Sequence, residues 1–309
     1  MATLQSLGSI VNGKPFSDFS IPEQRELFRK VQLPRPSNPG ISVSEYMINT
    51  SYGDVKTFLY KPARQKEGVP FIYYVHGGGW IFGGAAEYEA FIFDLVSRTG
   101  FAVVFPEYTL APEKQYPVQQ EQCLQVLQYV VKVGSEHGLL IDRLLLGGDS
   151  SGGQSIAAVS VLNHQRSLGL PIVHQMMIHP YIDVTAELRT GVMRDPAWSE
   201  QQLRAYFLVV EDRSSITAAP GRMNVEQAKQ YMPPTTVIMS DQDPFKEQDE
   251  AFVRLLQSAD VPCGAITAFG SIHAVEIFSG SRNGPTAQLV MAAIAGKLRE
   301  ITSDRKSMC

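Results

Sequence analysis

Leu144-Leu145-Leu146-Gly147-Gly148-Asp149-Ser150-Ser151-Gly152-Gly153 is the stretch on which the reading of this 309-residue chain turns. An apolar run ends in glycines, a serine follows, and a small-residue segment begins. Gly-x-Ser-x-Gly occupies positions 148 to 152. The pattern is informative here because a strand-like run precedes it and a helix-like run follows it. A strand that turns sharply into a helix forces the central residue into a strained backbone conformation. Glycines two before and two after leave room for neighbouring elements. The hydroxyl of Ser150 is then exposed above the sheet, at the positive end of the helix. Ser150 rather than Ser151 is the expected nucleophile, because it is central in the frame. The backbone N–H of Ser151 is expected to help bind an oxyanion. A phosphate loop would need a Gly-Lys-[Ser/Thr] ending, which this segment lacks.

Working outward, short apolar runs recur at Phe71–Val75, Ala102–Phe105, Val173–Ile178, Thr236–Met239 and Ala265–Phe269. Helical stretches are expected at Pro117–Val133, Ser151–Gln165, Glu247–Ala259 and Thr286–Ile301. The alternation indicates an α/β chain, a mainly parallel doubly wound sheet with helices on both faces. Before it, residues 17 to 30 read as a short helix with Ser20, Pro22 and Glu23 at its start. Leu33 to Gly40 reads as a linker. Ser42–Asn49 and Val55–Tyr60 read as an antiparallel hairpin joined by Ser-Tyr-Gly-Asp. Between Asp183 and Met232 no strong strand signal appears. That stretch is too long for a bare connection and reads as helical cover over the carboxyl ends of the strands. It carries Trp198, Tyr206, Phe207 and Tyr231, of which most are expected to pack the insertion down and one or two to line a pocket.

His76-Gly77-Gly78-Gly79-Trp80 follows the run at 71 to 75. Three successive glycines are entropically unfavourable, but they let backbone N–H groups face a ligand without side chains in the way. Preorganised donors at a developing oxyanion are worth about 3–4 kcal/mol each. Gly78 and Gly79 are the expected donors. Gly77 and His76 are expected to support the loop, His76 by hydrogen bonding rather than as a base. Trp80 beside this loop and Tyr206 in the insertion are the aromatics expected to touch substrate.

Together these segments resemble the hormone-sensitive-lipase-like group of α/β-hydrolases. The match rests on His-Gly-Gly-Gly at 76 to 79 and Gly-Asp-Ser-Ser-Gly-Gly at 148 to 153. Glu107-Tyr108-Thr109-Leu110-Ala111-Pro112-Glu113 resembles that group's Tyr-Arg-Leu-Ala-Pro-Glu segment, and Asp243-Pro244-Phe245 resembles its Asp-Pro-Leu. The resemblance spans residues 71 to 302. It implies the α/β-hydrolase fold in one domain over residues 1–309, with cap elements from about 1–40 and 185–230. It assigns the triad acid to Asp243, just past a strand at the sheet's carboxyl edge, with Asp241 as runner-up and Glu247 behind it. The base must follow in the order Ser, Asp, His. His273 alone of the six histidines follows Asp243.

Three departures stand out. Ser151 replaces a small alanine and is expected to add a hydroxyl to the pocket. Phe245 replaces leucine. Ala-Val-Glu-Ile-Phe follows His273 where the group often has an aromatic two positions on.

The expected reaction is acylation of Ser150, loss of the alcohol, then attack by water, with His273 serving both steps. The resemblance implies a small-molecule ester or thioester substrate, with acyl groups of short to medium length. No metal or organic cofactor is implied. An acyltransferase would use the same triad. A small-molecule receptor of this group would lack the histidine, so His273 speaks against it.

Hydrophobic residues make up 44% and charged residues 19%, an ordinary globular balance. The net charge of −4, with no basic block, speaks against nucleic acid as a partner. Cys123, Cys263 and Cys309 form neither a disulfide framework nor a zinc spacing. The amino terminus lacks the features of a signal peptide and no apolar run spans a membrane, so the expected compartment is the cytoplasm. Monomer and homodimer are both left open.

Overall fold

The computed structural model describes residues 14–32, 37–65, 67–188 and 195–303. Expectations for the first 13 residues, for much of the Leu33–Gly40 linker and for Cys309 lie outside the described residues.

Among the described residues, eight strands form one sheet in the order β1-β2-β4-β3-β5-β6-β7-β8. They are β1 (Ile41–Ile48), β2 (Val55–Pro62), β3 (Phe71–Val75), β4 (Ala102–Glu107), β5 (Leu144–Asp149), β6 (Ile172–Ile178), β7 (Thr235–Ser240) and β8 (Cys263–Ala268). β1 pairs with β2, and β2 with β4, antiparallel. Every other pairing is parallel. The helices are α1 (Ile21–Val31), α2 (Ala85–Thr99), α3 (Val118–Val133), α4 (Ser151–Gln165), α5 (Pro196–Tyr206), α6 (Val225–Tyr231), α7 (Lys246–Ser258) and α8 (Pro285–Ser303). The mainly parallel, doubly wound arrangement is the one the sequence implies.

The apolar runs split by the period of two that a pleated strand imposes. Ile72 and Tyr74 of β3 enter one core with Phe91, Leu95 and Val96 of α2 and Ile294 of α8. Phe71, Tyr73 and Val75 enter the other with Leu124 and Leu127 of α3, Ile156 of α4 and Phe252 of α7. Both faces of the central strands are therefore dry, which is why these strands read as continuous apolar runs rather than as alternation.

α2 is not among the helices expected from the sequence. Its buried residues Tyr88, Phe91, Ile92, Leu95 and Val96 follow helical spacing, and Gly100 closes it in a left-handed conformation (φ 73°) with its N–H on Val96 O. The glycines at 83 and 84 blur its start. At the amino end, a 3₁₀ turn (Phe16–Asp18) precedes α1, which begins at 21 rather than 17. The Ser20 N–H donates to Glu23 Oε2 at 2.8 Å, the back-bond of a capping box.

The insertion is helical, as expected, with α5, two 3₁₀ turns (Val210–Ser214 and Pro220–Arg222) and α6. Polar side chains tie α5 to the amino-terminal elements. Trp198 Nε1 donates to Gln24 Oε1 at 3.0 Å, Gln24 Nε2 to Gln201 Oε1 at 2.6 Å and Ser17 Oγ to Asp195 Oδ2 at 3.2 Å. No described helix is long and apolar enough to cross a membrane.

Candidate active site

β3, β5, β7 and β8 run parallel, so the segments leaving their carboxyl ends converge on one edge of the sheet. Those segments carry residues 76–80, Ser150, Asp243 and His273.

Ser150 lies between β5 and α4 with φ 50° and ψ −123°, a conformation an L-residue adopts only under constraint. The constraint is visible. The Ser150 N–H donates to Ile178 O, and the Tyr181 N–H donates to Ser150 O, each at 2.9 Å. Gly152 lets the turn form, because a Cβ there would stand 2.1 Å from Val75 O and 2.7 Å from the His76 carbonyl carbon. Both contacts are backbone and cannot swing aside. Gly152→Ala is expected to destabilise the fold by about 3 kcal/mol, read as a lower urea midpoint at unchanged slope.

The loop after β3 turns at Gly78 (φ 102°), whose carbonyl accepts from Ile81 N–H at 3.1 Å and Phe82 N–H at 3.2 Å. Among the described residues the N–H groups of Gly78 and Gly79 donate to nothing. His76 is buried and its Nδ1 lies 2.7 Å from Gly77 O. Its ring stacks on Tyr108, and burial holds its pKa down at about 4, so it is neutral. The Ser151 hydroxyl does not enter the cavity. It is fully buried and accepts from Trp80 N–H at 3.3 Å, so it braces the same loop.

Asp149, beside the serine, is the second brace. Its carboxylate accepts from Tyr74 OH at 2.9 Å, Tyr88 OH at 2.8 Å and Gly77 N–H at 3.0 Å. Burial nevertheless pushes its pKa up to about 6, against those hydrogen bonds. A carboxyl whose folded pKa exceeds its unfolded value favours folding below the unfolded pKa, and that contribution is lost as pH rises through the folded one. Asp149→Asn is neutral throughout. The stability of the parent protein relative to this variant is expected to fall by about 2 kcal/mol between pH 4 and pH 7, measured by urea unfolding at each pH.

Asp243 is buried, and its Oδ2 lies 2.7 Å from His273 Nδ1 while Oδ1 accepts from Phe245 N–H at 2.9 Å. Asp241 points elsewhere. It pairs with Lys246 Nζ at 3.1 Å and accepts from Gln242 Nε2 at 2.9 Å, contacts that hold its pKa below the usual carboxylate range. Glu247 is exposed in the first turn of α7.

Ser150 and His273 border one cavity of about 590 Å³, together with Gly78, Gly79 and Asp149. Its wall is mainly apolar and carries the aromatic rings of Phe16, Phe28, Phe82, Trp198, Phe245 and Phe278. Phe245 stacks on Tyr181 at 4.3 Å and meets the His273 ring edge-on at 5.1 Å.

A family model described as the α/β-hydrolase fold matches residues 72–277. The chain belongs to the α/β-hydrolase family. A Gibberella moniliformis esterase is 32% identical over 287 residues, covering 90% of each chain. Among solved structures, carboxyl esterase 2 from Tuber melanosporum superposes with a TM-score of 0.86 at 28% identity, covering 97% of this chain and 98% of the other. A thermostable esterase from Pseudomonas putida superposes with a TM-score of 0.88 at 26% identity, covering 96% of each chain. These likenesses place the hydrolase in the hormone-sensitive-lipase-like group and make it a carboxylic ester hydrolase.

Two substrate-contact expectations are corrected. Trp80 and Tyr206 of this hydrolase are fully buried and stack on each other at 4.2 Å, outside the cavity. Proximity of Trp80 to the glycines suggested contact, but the ring points into the core beneath α5. Trp198 is the insertion aromatic on the cavity wall, and its spacing from Gln201 and Gln202 on one helix face was the signal available. Tyr88 was missed together with α2.

Proposed function

We propose that Ser150, Asp243 and His273 act as a catalytic triad that cleaves small carboxylic esters through an acyl-enzyme. The observation that carries this reading is the 2.7 Å contact between His273 Nδ1 and Asp243 Oδ2, on a histidine that shares its cavity with Ser150. With Nδ1–H donated to Asp243, Nε2 is the acceptor left for the Ser150 proton. Ser150 Oγ adds to the ester carbonyl as His273 takes that proton. The carbonyl oxygen becomes an oxyanion facing the N–H groups of Gly78, Gly79 and Ser151. Collapse expels the alcohol, which receives the proton from His273. Water then repeats the sequence, and the acid leaves.

The cavity wall favours a largely apolar substrate, with Lys14 the one cation among its described lining residues. Its carboxylates are engaged, Asp149 by two tyrosines and Gly77, Asp195 by Ser17 and the Trp198 N–H. The turn at Phe16–Asp18, α1 and α5 act as the cap, since Phe16, Phe28 and Trp198 close the cavity opposite the sheet.

A fluorophosphonate tests the reading. Stoichiometric labelling, mapped by peptide mass to Ser150, is the expected result. Folded protein that acquires no adduct at Ser150 would overturn it. Product analysis with a competing alcohol separates hydrolysis from acyl transfer.

A further inference from the structure

His179 is a buried titratable group that the reaction above does not use. It follows β6 with φ 45°, a left-handed conformation for a residue with a side chain, and its N–H continues the ladder onto Ile238 O at 2.7 Å. The ring has no exposed surface. One edge faces Glu276, with Nε2 3.0 Å from Oε2. The other faces the proposed triad acid, with Nδ1 3.9 Å from Asp243 Oδ2. The ring centroids of His179 and His273 are 5.8 Å apart. Glu276 is itself buried, three residues after His273.

Donor and acceptor bookkeeping decides the charge. A neutral imidazole has one N–H and one lone pair. With both acids ionised, a neutral ring turns a lone pair toward one of them, at 3.0 Å in one tautomer or across the longer 3.9 Å gap in the other. Only the doubly protonated ring presents a proton to both acids. Buried carboxylates also need a counter-charge. Asp243 after β7, Glu276 after β8 and Asp149 at the end of β5 act on His179, while Asp249 of α7, also fully buried, has its carboxyl pushed well above the usual range by burial and by Asp243. Burial works against a cation at His179, but Glu276, Asp243 and Asp149 outweigh it, and the pKa lies above histidine's ordinary value.

We infer that His179 is a fixed imidazolium held between Glu276 and Asp243, and that it is a positioning residue acting through Asp243 to set the basicity of His273. The inference rests on the triad reading for its catalytic part, and on the Asp243–His179–Glu276 geometry for its charge. A cation behind Asp243 keeps that carboxylate ionised and in place. It also opposes protonation of His273, which extends the neutral, proton-accepting form of the base to lower pH.

Two measurements test this. In the unmodified protein, nitrogen NMR of labelled histidine is expected to show both His179 nitrogens carrying protons at pH 7.5. A neutral His179 ring there would overturn the inference. In His179→Gln, removal of the positive charge lets His273 protonate more easily. Glu276 can accept from the glutamine amide, and left ionised it adds in the same direction. The acid limb of kcat/KM is therefore expected to move upward by about one pH unit. kcat should fall about tenfold with KM unchanged, because His179 does not border the cavity. A folded variant whose acid limb stays in place would overturn the inference and leave His179 a packing residue. If the variant does not fold, the NMR result alone decides. Fluorophosphonate labelling of the unmodified protein separates the two readings. An adduct on Ser150 with a neutral His179 defeats only this inference, whereas no adduct with a charged His179 defeats the triad and leaves the buried cation standing.

Discussion

Ser150→Ala is expected to lower kcat/KM for a small ester by about 10⁴- to 10⁶-fold while leaving the thermal midpoint within a few degrees of the parent. The fold should tolerate the change because alanine keeps the Cβ. The left-handed conformation at this position is already present with serine, at φ 50°, so no new backbone strain enters. The Ser150 N–H and carbonyl bonds to Ile178 and Tyr181 also survive. Activity should not be rescued from next door. The Ser151 hydroxyl is buried and faces the Trp80 N–H, on the wrong side of the loop to meet a substrate. What remains should be the residual effect of donors and binding, about 10³-fold over water. Steady-state kinetics and a melting curve on the same preparation check both halves. Full esterase activity in a folded Ser150→Ala protein would remove Ser150 from the mechanism.

The serine turn was legible because its determinants are local. A strand, two glycines and a small-residue helix lie within about twenty residues, and Gly148 is required by the turn's own backbone, where a Cβ would stand 2.6 Å from the Gly152 carbonyl, although Gly152 is required by the backbone of Val75 and His76. The central strands were legible for a similar reason, since strands buried on both faces leave apolar runs that need no partner to be recognised, whereas their order in the sheet was not. Pocket chemistry was not. Whether Trp80 points into the cavity or the core depends on where α5 lies, and nothing near Trp80 encodes that. The same holds for Ser151, whose hydroxyl meets a backbone N–H that lies 71 positions upstream. α2 shows a different failure. Its helical spacing is present in the sequence, but the preceding glycines dominate the local reading, and Tyr88 was lost with it. The His179–Glu276 pair joins positions 97 residues apart across two loops, a relation no periodicity carries.

Two adjacent acids offer the sharpest contrast for a second substitution pair. Asp243→Asn is expected to lower kcat by about 10⁴-fold, and Asp241→Asn by no more than about threefold. The difference follows from what each carboxylate touches. Asp243 is buried and meets His273 Nδ1 at 2.7 Å, so it selects the tautomer that leaves Nε2 free to accept a proton. An asparagine can present its NH₂ to Nδ1, because Oδ1 of the parent side chain is retained by the Phe245 N–H. The ring would then carry its proton on Nε2 and face the serine as a donor. The negative charge that stabilises the imidazolium would also be gone. Asp241 has neither role. Its oxygens hold Lys246 and Gln242 away from the triad, and an amide there loses one half-buried ion pair. The loss should appear in kcat with KM nearly unchanged, since Asp243 does not border the cavity. Raised pH should recover part of the Asp243→Asn activity, as hydroxide comes to share the removal of the Ser150 proton. A large loss in Asp241→Asn with Asp243→Asn near full activity would transfer the acid to Asp241 and require the loop after β7 to turn over in the working enzyme.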